Sequence, residues 1–297
     1  MLRETEVILK MQKNIGFILC LIAFLCTMIF SPITSLAADD VQELLDFLKT
    51  DAPPPEPLLP SDVAVADSFK PGSGNSVGEA QLIQGTVLVI HKDSKTAFKL
   101  KKGLAVFNGD TLITETRSRA HLLLNDKSTL ALAAHSKLVI DKSLYDPKAD
   151  SRDTEMRLLF GRVRSVVSKV GTSPNYSIKT PTAVAGVRGT DFALAVTMAP
   201  EPETSALDHF LALLSPREAH AIVPKALATS VITGANSVVA FSGRTGPPRI
   251  IRSHSFSRAF HGRPPSIPRF VGPAAANRAL GAVAPRIAYM SMPPGFD

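Results

Sequence analysis

The residues best placed to do chemistry lie within fourteen positions, Lys179-Thr-Pro-Thr-Ala-Val-Ala-Gly-Val-Arg-Gly-Thr-Asp-Phe192. Arg188 and Asp191 stand three apart across a corner and can pair. Pro181 pushes Thr180 out of the α region, so the entry to the corner is extended. Gly186 and Gly189 permit positive φ or close backbone approach. Ala183, Val184, Ala185 and Val187 are small enough to be buried on both sides. Two readings follow. One is a buried β-corner stapled by an ion pair; the other is a recognition site whose ligand the sequence does not name. An aspartate held ionised by a neighbouring arginine suits a strut better than a general base near neutral pH.

Other chemistry finds little support. No His-Glu-x-x-His, Gly-x-Ser-x-Gly or phosphate-loop pattern occurs. Asp110, Asp126 and Asp141, like Asp191, fall at turns, where aspartate caps backbone groups by default. His121 and His135 read as strand residues rather than ligands, because nothing in a metal spacing accompanies them. The expectation is a protein without catalytic residues, cofactor or metal.

These residues must be positioned by β structure. The chain has 297 residues, no Trp and few aromatics, so its core is built from Val, Leu, Ile and Ala. Leu82–Ile90, Ala97–Leu100, Leu104–Phe107, Thr111–Thr114, Ala120–Leu124, Thr129–Ala134 and Leu138–Ile140 read as strands, with Asn108-Gly109-Asp110 as a hairpin turn. Leu144–Asp153 reads as a polar loop. Strands resume at Met156–Phe160 and Arg162–Val167 around Gly161, then at Tyr176–Lys179, Phe192–Val196, Ser230–Thr233 and Ser237–Phe241. A short helix over Ala206–Leu214 reads as an insertion, about 199–225, hung from a hairpin. A faint recurrence places Gly85, Gly161 and Gly234 at similar turns of a rolled structure.

The ends differ from this body. Lys10 and Lys13 precede an apolar run, Ile15–Phe30, and small residues at Ser35 and Ala37 make residues 1–37 an export signal. The rival is an uncleaved membrane anchor over residues 15–38; the start is Met1 or Met11. Both cysteines, Cys20 and Cys26, lie in that run, which leaves the exported part without a disulfide framework. Residues 38–78 read as a short helix, Val41–Lys49, and a Pro/Gly/Ser-rich linker. From Arg244 onward there are eight Arg, nine Pro, no Lys and one acid. Residues 269–297 accordingly read as a disordered basic tail suited to an anionic surface. The exported context disfavours nucleic acid.

The central motif resembles the hallmark of the FecR domain family, in which Thr-Pro-x-Ala-x-x-Gly-Val-Arg-Gly-Thr-x-Phe closes a run of strand motifs. Here Thr180, Pro181, Ala183, Gly186, Val187, Arg188, Gly189, Thr190, Asp191 and Phe192 occupy that signature. Gly85-Thr-Val-Leu-Val, Gly109-Asp-Thr-Leu-Ile-Thr114, Asn125-Asp-Lys-Ser128 and Gly161-Arg-Val-Arg164 match the preceding motifs. The resemblance covers residues 79–268 and implies an all-β, rolled or solenoid-like stack of short antiparallel strands and hairpins. Lys127 stands where the family commonly has Gly. Only fourteen residues precede the apolar run, too few to fold, so the expectation is an exported module without the cytoplasmic anti-sigma region of the iron-transport regulators. The implied function is a non-enzymatic, periplasmic binding or signal-transduction module that contacts an envelope protein. The alternative is a structural envelope component held to cell wall or lipid by its arginine tail.

Overall fold

The computed structural model describes Pro54 and residues 57–171, 173–200 and 225–283. The expected export signal, the Val41–Lys49 helix, the Ala206–Leu214 helix and the last fourteen residues lie outside the described residues. Among the described residues no helix is long and apolar enough to cross a membrane.

The described chain is all-β, as its β-branched composition requires. In order the strands are β1 (Ala64–Ala66), β2 (Ser76–Gln84), β3 (Val87–Ile90), β4 (Thr96–Lys99), β5 (Ala105–Phe107) and β6 (Thr111–Thr114). Then come β7 (Arg119–Leu124), β8 (Thr129–Leu132), β9 (Ser136–Asp146), β10 (Ser151–Val166), β11 (Ser173–Lys179) and β12 (Ala183–Val187). Finally come β13 (Asp191–Pro200), β14 (Lys225–Thr233), β15 (Val239–Gly243), β16 (Arg249–Ile251), β17 (Ser255–Phe260), β18 (Arg269–Phe270) and helix α1 (Pro273–Val283).

They pair into two sheets. The first runs β16-β15-β12-β11-β10-β9-β6-β3-β4-β1. The second runs β5-β2-β7-β8-β10-β13-β14-β17-β18. The sixteen-residue β10 belongs to both and crosses between them at Gly161. Alternate side chains of the two sheets fill one core, with Leu112, Leu122, Leu130, Leu138, Phe192, Leu194 and Phe241 fully buried. Two pairings, β1 with β4 and β10 with β11, are parallel, a departure from the expected all-antiparallel stack.

An internal repeat underlies this arrangement. Thr111↔Val139 and Leu112↔Leu138 of β6 and β9 recur as Ser230↔Arg258 and Val231↔Ser257 of β14 and β17, each shifted by 119 residues. Ala120↔Leu132 recurs as Val239↔Ile251 with the same shift. The corners repeat as well. Thr114 Oγ1 donates to Ala133 O and accepts the Ser136 N–H, while Thr233 Oγ1 donates to Arg252 O and accepts the Ser255 N–H. A positive-φ residue precedes each corner serine: Arg117, His135, Asn236 and His254, at 50–55°. Three of these serines accept a backbone N–H from a neighbouring corner. Ser118 takes Thr86, Ser136 takes Arg162 and Ser237 takes Asp191, at 2.8, 2.9 and 3.0 Å. Each bond gives a partner to a buried or half-buried amide. The glycine recurrence is only partly of this kind, because Gly234 lacks the positive φ of Gly85 and Gly161.

The repeat explains Lys127. It has φ 66°, and its counterpart one repeat later is Gly246 at φ 76°. Lys127→Gly removes a left-handed penalty of about 1 kcal/mol, less the entropy that glycine adds to the unfolded chain. A net gain of about 0.5 kcal/mol in urea unfolding is expected; a loss would show that the lysine side chain holds the turn.

Three sequence readings change. Leu144–Asp153 is largely strand, because β9 and β10 stay paired out to Ser151↔Asp146. The segment before residue 79 is partly sheet: β1 pairs with β4, and Leu58, Leu59 and Val63 pack on Leu88, Ile90, Ala97 and Ile113. The expected basic tail, as far as it is described, is structured. β18 adds to β17, and α1 starts at Pro273, where a missing N–H costs nothing. The helix lies against β10, β13 and β14 and buries Ala276, Ala279, Leu280 and Val283, which fall on one face. Arg119 Nη1 donates to Ala282 O, a cation placed at the helix C-terminus.

β13 and β14 remain in register to Pro200↔Lys225, so the inserted segment leaves and rejoins at paired positions. Deleting Glu201–Pro216, so that residues 217–224 alone join these ends, should preserve a cooperative unfolding transition. A molten product by circular dichroism would show the insertion to be part of the core.

Candidate functional site

The Lys179–Phe192 motif forms the passage from the first sheet to the second. Thr180 opens it as a closed turn: its N–H and Oγ1 both donate to Ala183 O, and Oγ1 accepts the Ala183 N–H at 2.9 Å. Thr229 on β14 places its hydroxyl between those of Thr180 and Thr182, at 2.7 and 2.5 Å. Pro181 O accepts Arg244 Nε. Ala183, Ala185 and Val187 point into the core, and Gly186 lies in β12 with no positive φ. Gly189 turns the chain at φ 64°, Thr190 Oγ1 donates to Val238 O, and Phe192 is fully buried.

The expected Arg188–Asp191 pair does not form. Asp191 receives two parallel bonds from Arg164, Nε to Oδ1 at 2.9 Å and Nη2 to Oδ2 at 2.8 Å. The reason lies in strand parity. Arg164 is opposite Ala193 on the adjacent strand, so Asp191, two residues along, shares its face. Arg188 follows the last residue of a strand of the other sheet and is exposed. Arg164→Ala should therefore cost about 1.5–3 kcal/mol, as a charged hydrogen-bonded pair of this kind does. Arg188→Ala should stay within about 0.5 kcal/mol of the parent. Thermal unfolding of both variants checks this, and equal losses would restore the sequence-neighbour pair.

Two buried charge clusters were not legible beforehand. Arg152 and Asp126 pair at 2.8 Å with side chains 0% and 2% exposed. Arg152 Nη1 also donates to Ser168 O, and its guanidinium lies 5.3 Å from the centre of the Tyr176 ring. Tyr176 OH shares a hydrogen bond with Ser165 Oγ at 2.7 Å, and burial pushes the phenol pKa far above its ordinary value. The available signal was a lone arginine in an alternating strand, which sequence reading placed in a loop.

The second cluster is His91 and Asp110. His91 Nδ1 meets Asp110 Oδ1 at 2.8 Å, Nε2 meets Lys70 O at 2.7 Å, and Asp110 Oδ2 accepts the Phe107 N–H. Burial raises the Asp110 carboxyl above the ordinary carboxylate range, against the lowering by His91 and Phe107. Phe69, Phe98 and Phe107 surround the imidazole at 5.6–5.7 Å or by way of one another. The cluster pins the segment around Lys70 to the sheet. His121 lies on β7 with its pKa lowered by burial and by Arg164, while His135 occupies a corner at φ 54°. Among the described residues no three His, Cys, Asp or Glu side chains converge to hold a metal.

Comparison with known proteins places these features. Residues 110–206 match the family model described as FecR protein. No curated protein matches the chain. One solved structure that resembles it is described as "a putative anti-sigma factor" from Parabacteroides distasonis, at 12% identity and a TM-score of 0.36, covering 55% of this chain and 60% of that one. The matched span, about a third of the chain, includes the β6–β9 meander, the β10 crossing and the Thr180–Phe192 passage, so this part of the chain is similar to a FecR domain.

Proposed function

We propose that this FecR-like domain is a non-catalytic module of signal transduction that works by contact with another protein in the cell envelope. The family match supports a regulatory role. The observation that carries the contact is an open strand. Among the described residues β16 pairs only with β15, so its far edge presents backbone groups without a neighbouring strand. On the outer face beside that edge, Gly186, Ala240 and Ile250 line up in register, with Val184 on the same face and Ile250 53% exposed. An extended segment of a partner can add to such an edge, using backbone bonds for affinity and the apolar row for selectivity.

Site-specific photo-crosslinking from position 250 in intact envelopes tests the proposal. One stoichiometric protein product is expected from position 250, and the same product taken from position 240 should be lost in Ile250→Pro, which removes the N–H facing the free edge. Crosslinks to many proteins at low yield would count against it.

A further inference from the structure

The other exposed feature is one end of the sandwich. Its corners are tied together: Thr190 Oγ1 bonds to Val238 O, the Ser237 N–H bonds to Ser253 Oγ at 3.1 Å, and the His254 ring stands edge-on to Phe270 at 6.5 Å. Lys169 packs beside Gly189. The strip so assembled carries exposed Lys169, Arg188, Arg252 and Arg269 around two protruding apolar side chains, Val238 at 52% and Phe270 at 72% exposure. Asp191 is bonded to Arg164, Asp126 to Arg152, and Asp150 to the Gly171 amide.

From Arg157 to Val283 the only acid among the described residues is Asp191. The described residues of this half therefore carry a one-sided charge, and the strip is one place where it meets exposed apolar surface. Two apolar tips on a strip with four cations match the layering of an anionic bilayer surface, with acyl boundary below and phosphate above. An acidic protein would complement the cations but gives no reason for Phe270 to stand clear of the sheet.

We propose that this end of the sandwich docks on an anionic phospholipid surface, with Phe270 and Val238 entering the headgroup boundary. The inference does not rest on the edge-strand reading, since β16 and the strip are tested by different positions.

Hydrogen exchange of the full chain with vesicles of phosphatidylcholine, alone or mixed with phosphatidylglycerol, decides the matter. Amides of residues 237–238, 252–254 and 269–271 are expected to gain protection only with phosphatidylglycerol present. That protection should fall at high salt, where the screening length drops from about 8 Å to about 3 Å. Each cation near an anionic surface contributes about fivefold, so Arg188→Gln with Arg252→Gln should raise the half-protecting lipid concentration roughly 30-fold. Both side chains are exposed, so unfolding of the variant should be unchanged; the salt series stands without any variant. Equal protection by both vesicle types, or by neither, overturns the proposal. Protection by polyglutamate but not by phosphatidylglycerol overturns it in favour of an acidic protein.

Discussion

Arg152→Ala is expected to cost about 3–5 kcal/mol, because it leaves the carboxylate of Asp126 buried without its cation. Asp126 would keep the Ser128 N–H at 2.9 Å and the Ser128 hydroxyl at 2.8 Å, which are neutral donors and cannot balance the charge. For a domain of this size, a loss of that order lowers the unfolding temperature by about 10 °C. The pair is not a net asset merely because breaking it is costly. Arg152 Nε and Nη2 are buried without hydrogen bonds, so part of the guanidinium desolvation goes uncompensated except by the Tyr176 ring. Removing both charges should therefore be milder than removing one. Arg152→Met with Asp126→Asn keeps an acceptor for Ser128 and should recover at least half of the loss. A double variant as unstable as Arg152→Ala would mean that the ion pair itself, rather than the orphaned charge, supplies the stability.

The role of Arg152 shows where sequence reading ends. Strand periodicity located most of the meander, since Ala120, Leu122 and Leu124 bury alternate side chains as their pattern requires. Charge pairing was not legible, because partners are set by register between strands far apart in sequence. Asp126 and Arg152 are brought together by the β9–β10 hairpin and the passage through Ser168. Asp191 meets Arg164 by strand parity, whereas Arg188, three residues away, leaves on another sheet. The 119-residue repeat was hidden for a related reason. Its fixed points are corner residues, Ile113-Thr114, Ser118 and His135-Ser136 against Ile232-Thr233, Ser237 and His254-Ser255. Between them any apolar residue of suitable size fills the core, so sequence identity decays while register persists. The arginine-rich end misled for the opposite reason. Composition alone suggested a tail, but Pro247, Pro248, Pro264 and Pro265 sit in connections and leave β15–β18 free to pair.

Gly161→Ala is expected to cost about 2–5 kcal/mol, although it adds a single methyl group. Gly161 has φ 89°, where an L side chain pays roughly 1–2 kcal/mol. A Cβ built there would stand 2.4 Å from His135 O and 2.5 Å from Ser136 Cα, both backbone atoms of a neighbouring corner. Relieving that clash means shifting the corner, at about 1–3 kcal/mol for overpacking. The shift would also open the bond from Arg162 N–H to Ser136 Oγ, which starts β10 on its course through the second sheet. The control is Gly186→Ala within the family motif itself. Nothing lies nearer than Ala240 O at 3.9 Å, and the backbone there is not left-handed. That substitution should be neutral, or stabilising by about 0.4–1 kcal/mol through the entropy removed from the unfolded chain. Chemical unfolding of the two variants side by side separates a glycine that the corner requires from one that a strand merely tolerates. Equal losses at the two sites would show that the signature glycine is held by something other than space and φ, and would return attention to the motif as a binding surface.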